Sequence, residues 1–179
     1  MIIKDHIALF ENMASDAYCK DAINWFESKS TELCHENVGD RDDYTITNPD
    51  RYESFVKFDN GLLKKSLQKS YIAYRKNYDL GYMDQSALPT NCSLTDFKIQ
   101  KSIEGGGFCT WHDENVHGTF PSRFLVWMLY LNDVEHGGKT EFFSGQKVQP
   151  KTGRLVLWPP YFTHMHRAAP DLKENKYIL

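Results

Sequence analysis

The stretch FCTWHDEN places His112 and Glu114 two residues apart. Side chains so spaced point to the same side of an extended segment, so an imidazole and a carboxylate converge there if the stretch is a strand. One more imidazole would complete the two-histidine, one-carboxylate face that holds iron(II) and leaves positions open for substrate and O₂. The segment FTHMHRAAP offers two candidates, His164 and His166. A lone His-x-Glu is also an ordinary solvated strand edge, so the pair takes its meaning from its surroundings. The other histidines have weaker claims: His117 follows His112 in a loop-like stretch, His136 sits in a turn, and His6 and His35 lie far upstream.

Two helices and a set of short strands are expected to position these groups. From Ser15 to Phe26 the residues Tyr18, Cys19, Ala22, Trp25 and Phe26 recur at helical spacing behind a capping serine. In DNGLLKKSLQKSYIAYRKNY, the residues Leu63, Leu67, Tyr71, Tyr74 and Tyr78 hold the same period, with Asp59 or Asn60 available as cap. Between the helices, HENVGDRDDYTITNPDRYESF is polar and turn-rich. It is expected to be solvated with at most one short strand, and its part from Gly39 to Glu53 to be a mobile, lid-like segment near the pocket mouth. From about residue 95 the texture changes to TDFKIQKSI, RFLVWMLYLN, TEFF and RLVLW, separated by Gly, Pro and Asn-Asp turns. Such strands suit an antiparallel sandwich or jelly roll with the helices covering one sheet face, an α+β fold.

Length and charge narrow the function. The 179 residues suit one domain, 1–179, with 1–94 as helical support and loop and 95–179 as the β core. A net charge of −3, spread along the chain, gives no footprint for nucleic acid or an anionic membrane, so a peptide, protein or small-molecule substrate is expected. The start lacks the basic and apolar regions of a signal peptide, and no apolar run approaches the roughly 20 residues that span a bilayer. A cytoplasmic location follows as an expectation. Cys19, Cys34, Cys92 and Cys109 show no paired spacing and are expected to be free thiols. Nothing indicates the oligomeric state.

From about Ile99 onward the sequence resembles the prolyl 4-hydroxylase-like branch of the iron(II)/2-oxoglutarate oxygenases, its short bacteriophage-encoded members most closely. The resemblance rests on His112 and Glu114, on Arg123 with Tyr130-Leu131-Asn132, and on the Gly137-Gly138-Lys139-Thr140-Glu141-Phe142 turn and strand. It continues through Gly153-Arg154-Leu155 and through His166 with Pro170 four residues on and Lys176 ten residues on. It implies a double-stranded β-helix (jelly roll) with N-terminal helices packed on one sheet. It also implies a dioxygenase using Fe(II), 2-oxoglutarate and O₂, with ascorbate as an accessory reductant. Succinate and CO₂ would be released as an unactivated C–H bond is hydroxylated, a prolyl residue in a peptide or protein being the leading substrate. A phage-encoded member would work in the host cytoplasm.

The same register implies individual roles. His166 is the distal metal ligand, and His164, two residues away, is a neighbour behind it. Lys176 would pair with the far carboxylate of 2-oxoglutarate, which would be costly to bury without a cation. Tyr130 would hydrogen-bond that carboxylate and Thr140 would abut the co-substrate. Arg123 and Trp127 are substrate-side candidates, with Trp111 and Trp158 as further pocket walls. This chain departs from the family in using Glu114 where aspartate is commoner. It ends at Leu179, where the family's last strand continues, and Ser102 or Ile103 falls where the family has an upstream tyrosine. Two rival readings are a non-catalytic, cupin-like metal-binding jelly roll, which has no need of Lys176, and a zinc hydrolase, which would lack a helical HExxH and a separate base.

Overall fold

The computed structural model describes residues 1–39, 41–81, 86–115 and 123–179. The chain opens on a hairpin that the sequence reading did not anticipate, β1 (Ile2–Lys4) and β2 (Ile7–Phe10). Asp5 and His6 close it with φ of 48° and 63°, the left-handed turn that matches strand twist. Helix α1 (Asp16–Glu27) starts where Ser15 Oγ accepts the Tyr18 N–H at 3.2 Å, and it buries the five residues named for it.

The polar segment that follows carries two strands where at most one was expected. It forms a hairpin, β3 (Cys34–Val38) and β4 (Arg41–Thr47), then a 3-10 turn and helix α2 (Glu53–Asp59). Its charges are matched within the sheet instead of being solvated: Arg41 pairs with Glu36 at 2.6 Å and with the fully buried Asp43 at 3.0 Å. Helix α3 (Leu62–Arg75) packs Leu63, Tyr71 and Tyr74 inward. The Asp59 carboxylate accepts from Gly61 N, Leu63 N and the Tyr18 hydroxyl, tying the start of α3 to α1.

The second half supplies β5 (Lys98–Phe108), β6 (Val126–Leu129), β7 (Thr140–Phe142), β8 (Lys147–Val148), β9 (Leu155–Trp158), β10 (His166–Ala168) and β11 (Lys176–Ile178). All named pairings are antiparallel, in sheets ordered β1-β2-β9-β6, β11-β5-β4-β3 and β10-β7-β8. The first two are joined where Leu129 and Leu179 exchange backbone hydrogen bonds and Tyr130 bridges Ile178. The result is a mixed fold of helices and antiparallel sheets. Strands β1 to β4 come from the first 47 residues, so both sides of residue 94 contribute to the sheets.

Strand alternation sends successive residues to opposite layers. Ala8, Phe10, Leu129, Leu155 and Leu157 face the core shared with α1 and α3. Ile7, Tyr130, Val156 and Trp158 face the small sheet, where Phe142 and Val148 meet them. Burying each large side chain stabilises the fold by about 1.5–3 kcal/mol, and the two cores clamp the major sheet from both sides. All four cysteines are free thiols.

Candidate active site

His112 and His166 are brought together by the backbone. His112 N donates to His166 O at 3.0 Å and His166 N to His112 O at 2.9 Å, so the two residues oppose each other and their imidazoles project to one side, 4.4 Å between centroids. Gly107 lets the chain reach this position: its φ is +114°, and a Cβ there would stand 3.1 Å from Ala168 Cβ on β10. Glu114 is held by its own N–H on Pro160 O at 3.0 Å.

The hydrogen bonds assign the tautomers. His112 Nδ1 lies 2.8 Å from Thr110 O, and His166 Nδ1 lies 3.1 Å from His164 O. Each Nδ1–H therefore donates to a carbonyl and each Nε2 presents a lone pair. Glu114 Oε1 is 3.8 Å from His112 Nε2 and 3.7 Å from His166 Nε2, and the three donor atoms lie within 4.8 Å of one another. Bonds of about 2.1 Å at right angles separate neighbouring donors by roughly 3 Å, so closing on a metal needs shifts of under about 1 Å. Two imidazoles and one carboxylate on one face fit an iron(II) site with open positions.

Electrostatics favour the neutral ring of His112 and the ionised carboxylate of Glu114. Burial, aided by the neighbouring His166, lowers the His112 pKa below its ordinary value and favours the neutral ring. For Glu114, burial disfavours the carboxylate, but the two imidazoles and Arg123 outweigh it and hold the pKa below 4.5. Arg123 Nη1 donates to Glu114 Oε2 at 3.0 Å and to Glu114 O at 3.2 Å, which leaves Oε1 to face the histidines.

The three donors line a cavity of about 410 Å³ that also contains Lys176, Thr140, Arg123, Trp127 and Trp158. Lys176 is 4% exposed and its ammonium donates to Gly138 O at 3.1 Å. Burial pushes its pKa down to about 8, with the charges of Cys109 and Asp43 opposing weakly. Gly138 adopts φ +60°, and a Cβ there would come within 2.6 Å of Leu172 Cδ1, so glycine is what brings this carbonyl against the lysine. Thr140 is buried, and its Oγ1 lies 2.6 Å from the phenol of Tyr130. Tyr130 itself is fully buried in the inter-sheet core and stands behind Thr140.

His164 turns away from the donors. Its Nε2 lies 2.9 Å from Asp5 O in the β1–β2 turn and its Nδ1 2.8 Å from Thr163 Oγ1, while its carbonyl receives His166 Nδ1–H. It thus orients the His166 ring through the backbone. Trp158 packs edge-on to His166, at 5.0 Å between centroids, and Trp127 packs on Phe97. Trp111 sits outside the cavity wall, under the Arg167 guanidinium at 4.6 Å. His6, His35 and His136 contact Tyr78, Asp42 and Glu174 respectively, and His117 lies outside the described residues. Sequence reasoning missed the wall built by β4 and β5, namely Arg41, Thr47, Lys98, Gln100 and Ser102. Their period-two polarity was the available signal, hidden within segments assigned to a loop and to generic strand.

Residues 97–179 match the model of the 2OG-Fe(II) oxygenase superfamily, and they include the donor set and Lys176, whereas Arg41 and Thr47 of the cavity wall lie upstream. The matched segment is just under half of the chain. Its likeness is to the prolyl 4-hydroxylase branch: 65 residues are 35% identical to prolyl 4-hydroxylase subunit alpha-1 of Gallus gallus, and equally to that of Homo sapiens. The aligned region is 32% of this chain but only 13% and 12% of those proteins. Solved structures agree in fold. The viral collagen prolyl hydroxylase of Paramecium bursaria Chlorella virus-1, in its 2OG complex, superposes with TM-score 0.66 at 16% identity, covering 97% of this chain and 92% of that one. A Pseudomonas putida prolyl-4-hydroxylase gives 0.68 at 14% identity, covering 97% and 89%. A Trichoplax adhaerens prolyl hydroxylase, solved with a hypoxia inducible factor peptide fragment, gives 0.64 at 14% identity, covering 97% and 81%.

Proposed function

We infer that this protein is an iron(II)- and 2-oxoglutarate-dependent dioxygenase that hydroxylates an unactivated C–H bond, with a prolyl residue in a peptide or protein as the leading substrate. Its two facing sheets are read as the double-stranded β-helix of such enzymes. The observation that carries the reading is one cavity holding both the His112–Glu114–His166 donor face and the buried ammonium of Lys176. A purely metal-binding jelly roll has no use for that ammonium, whose burial is costly until an anion arrives.

His112, Glu114 and His166 would hold the metal, with Arg123 gripping the outer oxygen of Glu114 so that one oxygen faces it. When bound, iron(II) supplies activation of O₂ coupled to conversion of 2-oxoglutarate to succinate and CO₂. Lys176 receives the co-substrate's far carboxylate, and Thr140, braced by Tyr130, offers its hydroxyl alongside. Ascorbate would act as accessory reductant. Trp127 and Trp158 wall the cavity and limit water.

The test is anaerobic loading with Fe(II), followed by O₂ and 2-oxoglutarate, with succinate as readout. Metal-dependent succinate formation is expected. Stoichiometric iron binding without any succinate, with 2-oxoglutarate present in excess, would favour the non-catalytic jelly roll.

A further inference from the structure

The inner face of the β11-β5-β4 sheet floors the cavity in rows. Lys176, Ser102 and Asp43 are cross-strand neighbours in one row, Ile178, Gln100 and Thr45 in the next, and Lys98 stands opposite Thr47 in the third. Lys98, Gln100 and Ser102 all line the cavity. The co-substrate reading uses the first row, which leaves the third for the substrate.

Lys98 stands apart from the other cations of the wall. Arg41 is matched by Glu36 and Asp43, Arg123 by Glu114, and Arg167 by Glu141 at 2.9 Å. Lys176 is reserved for 2-oxoglutarate. Lys98 is half-buried on the wall and makes no hydrogen bond or ion pair among the described residues. Asp96, exposed at the rim, lines the same cavity but forms no salt bridge with it. Burial, with the charge of Arg41, lowers the Lys98 pKa, while Asp43, Glu36 and Glu114 act against this from a distance. Retaining an ammonium with no hydrogen-bonded or ion-paired partner on a cavity wall is unfavourable unless an anion is to be received there. The neighbouring guanidinium groups are engaged by Glu36, Asp43 and Glu114, so Lys98 presents the single ammonium without a direct partner on this wall, which suits a carboxylate better than a phosphate dianion.

We propose that Lys98 is a specificity residue whose ammonium receives a carboxylate of the substrate, so that the enzyme selects carboxylate-bearing substrates. The inference rests on the oxygenase reading of the cavity. The carboxylate could be the α-carboxylate of a small amino-acid derivative or an acidic side chain beside the target residue in a peptide, and the test separates these sources.

Two probe pairs are titrated into the full chain loaded with Fe(II) and 2-oxoglutarate under anaerobic conditions: N-acetyl-L-proline against N-acetyl-L-prolinamide, and acetyl-Gly-Pro-Glu-amide against acetyl-Gly-Pro-Gln-amide. In at least one pair the acid is expected to bind about 10- to 100-fold more tightly, the pair showing the preference identifying the carboxylate source. Lys98→Met should reduce that preference to within about threefold, and Lys98→Arg should retain part of it. Equal binding of acid and amide in both pairs, or no binding of any probe, overturns the proposal even if the variants fail to fold. A preference that survives intact in Lys98→Met overturns it too. Succinate formation by the same wild-type preparation is read in parallel. If it is present while the preference is absent, only the Lys98 assignment fails. If it is absent, the oxygenase reading itself fails.

Discussion

Replacing Lys176 by methionine should make the ligand-free protein more stable and, at the same time, nearly blind to 2-oxoglutarate. Burial lowers the pKa of this lysine from 10.5 to about 8, so keeping it charged in the free protein costs on the order of 3 kcal/mol. Among the described residues its hydrogen-bond acceptor is the Gly138 carbonyl. Methionine fills a similar volume without the charge, so the free variant should melt several degrees higher at pH 7. The co-substrate meanwhile loses a charge-assisted bond and leaves a carboxylate unpaired in a confined pocket, a loss of about 2–4 kcal/mol or roughly 30- to 1000-fold in affinity. Iron binding should persist, since the lysine is not among the donors.

The same group sets a pH dependence. The unfolded chain holds the Lys176 proton up to about 10.5 and the free folded chain only up to about 8, so within this window the unfolded state binds more protons and stability rises with pH. Co-substrate affinity runs the other way, falling as pH climbs above about 8 and the ammonium is lost. Calorimetric titration and melting of wild type and Lys176→Met, each with and without 2-oxoglutarate at pH 7 and pH 9, check all of this. A variant that binds 2-oxoglutarate as tightly as the parent, or a parent affinity flat across that range, would refute the electrostatic reasoning.

Alanine at His112, Glu114 or His166 should abolish iron binding and succinate formation. His164→Ala should keep stoichiometric iron but melt lower, by the equivalent of about 1–2 kcal/mol for the lost anchor on Asp5 O, as read by metal analysis and calorimetry. Arg123→Gln should weaken iron affinity roughly 10- to 100-fold by freeing the outer oxygen of Glu114, measured by competition with a chelator. Unchanged affinity would return Arg123 to a purely substrate-side role. Amide exchange along Arg41–Thr47 should be as slow as along β5, because the two strands pair over that whole stretch; fast exchange there would restore the lid.

The local periodicities were legible without coordinates. Tyr18, Cys19, Ala22, Trp25 and Phe26 declare α1 because helical spacing is a property of neighbours in sequence, and Ser15 marks its start for the same reason. The strands around Ile99, Trp127 and Leu157 follow equally from period-two geometry, whereas His112 and Glu114 lie beyond β5, on an isolated bridge and a bend, and are brought together by tertiary contacts. The choice of His166 over His164 came from register within a resemblance, and the structure brings His166 beside His112 and Glu114 while sending His164 to Asp5.

Partners distant along the chain had to be decided by tertiary structure. The RDDYTIT segment reads as solvated because its charges are visible and their partners are not. Only pairing with β5 and the ion pairs of Arg41 turn it into a buried strand. The β1–β2 hairpin is likewise too short to declare itself, being held by β9 and by His164 rather than by its own propensity. Tyr130 was expected at the co-substrate and stands behind Thr140. Arg123 was expected at the substrate; it lines the cavity and also grips Glu114. Sequence therefore determines which residues share a face, since that depends on the fixed period of the backbone. Which face meets which, and hence which charge is neutralised and which is left waiting for a ligand, is decided only when contacts distant in sequence close.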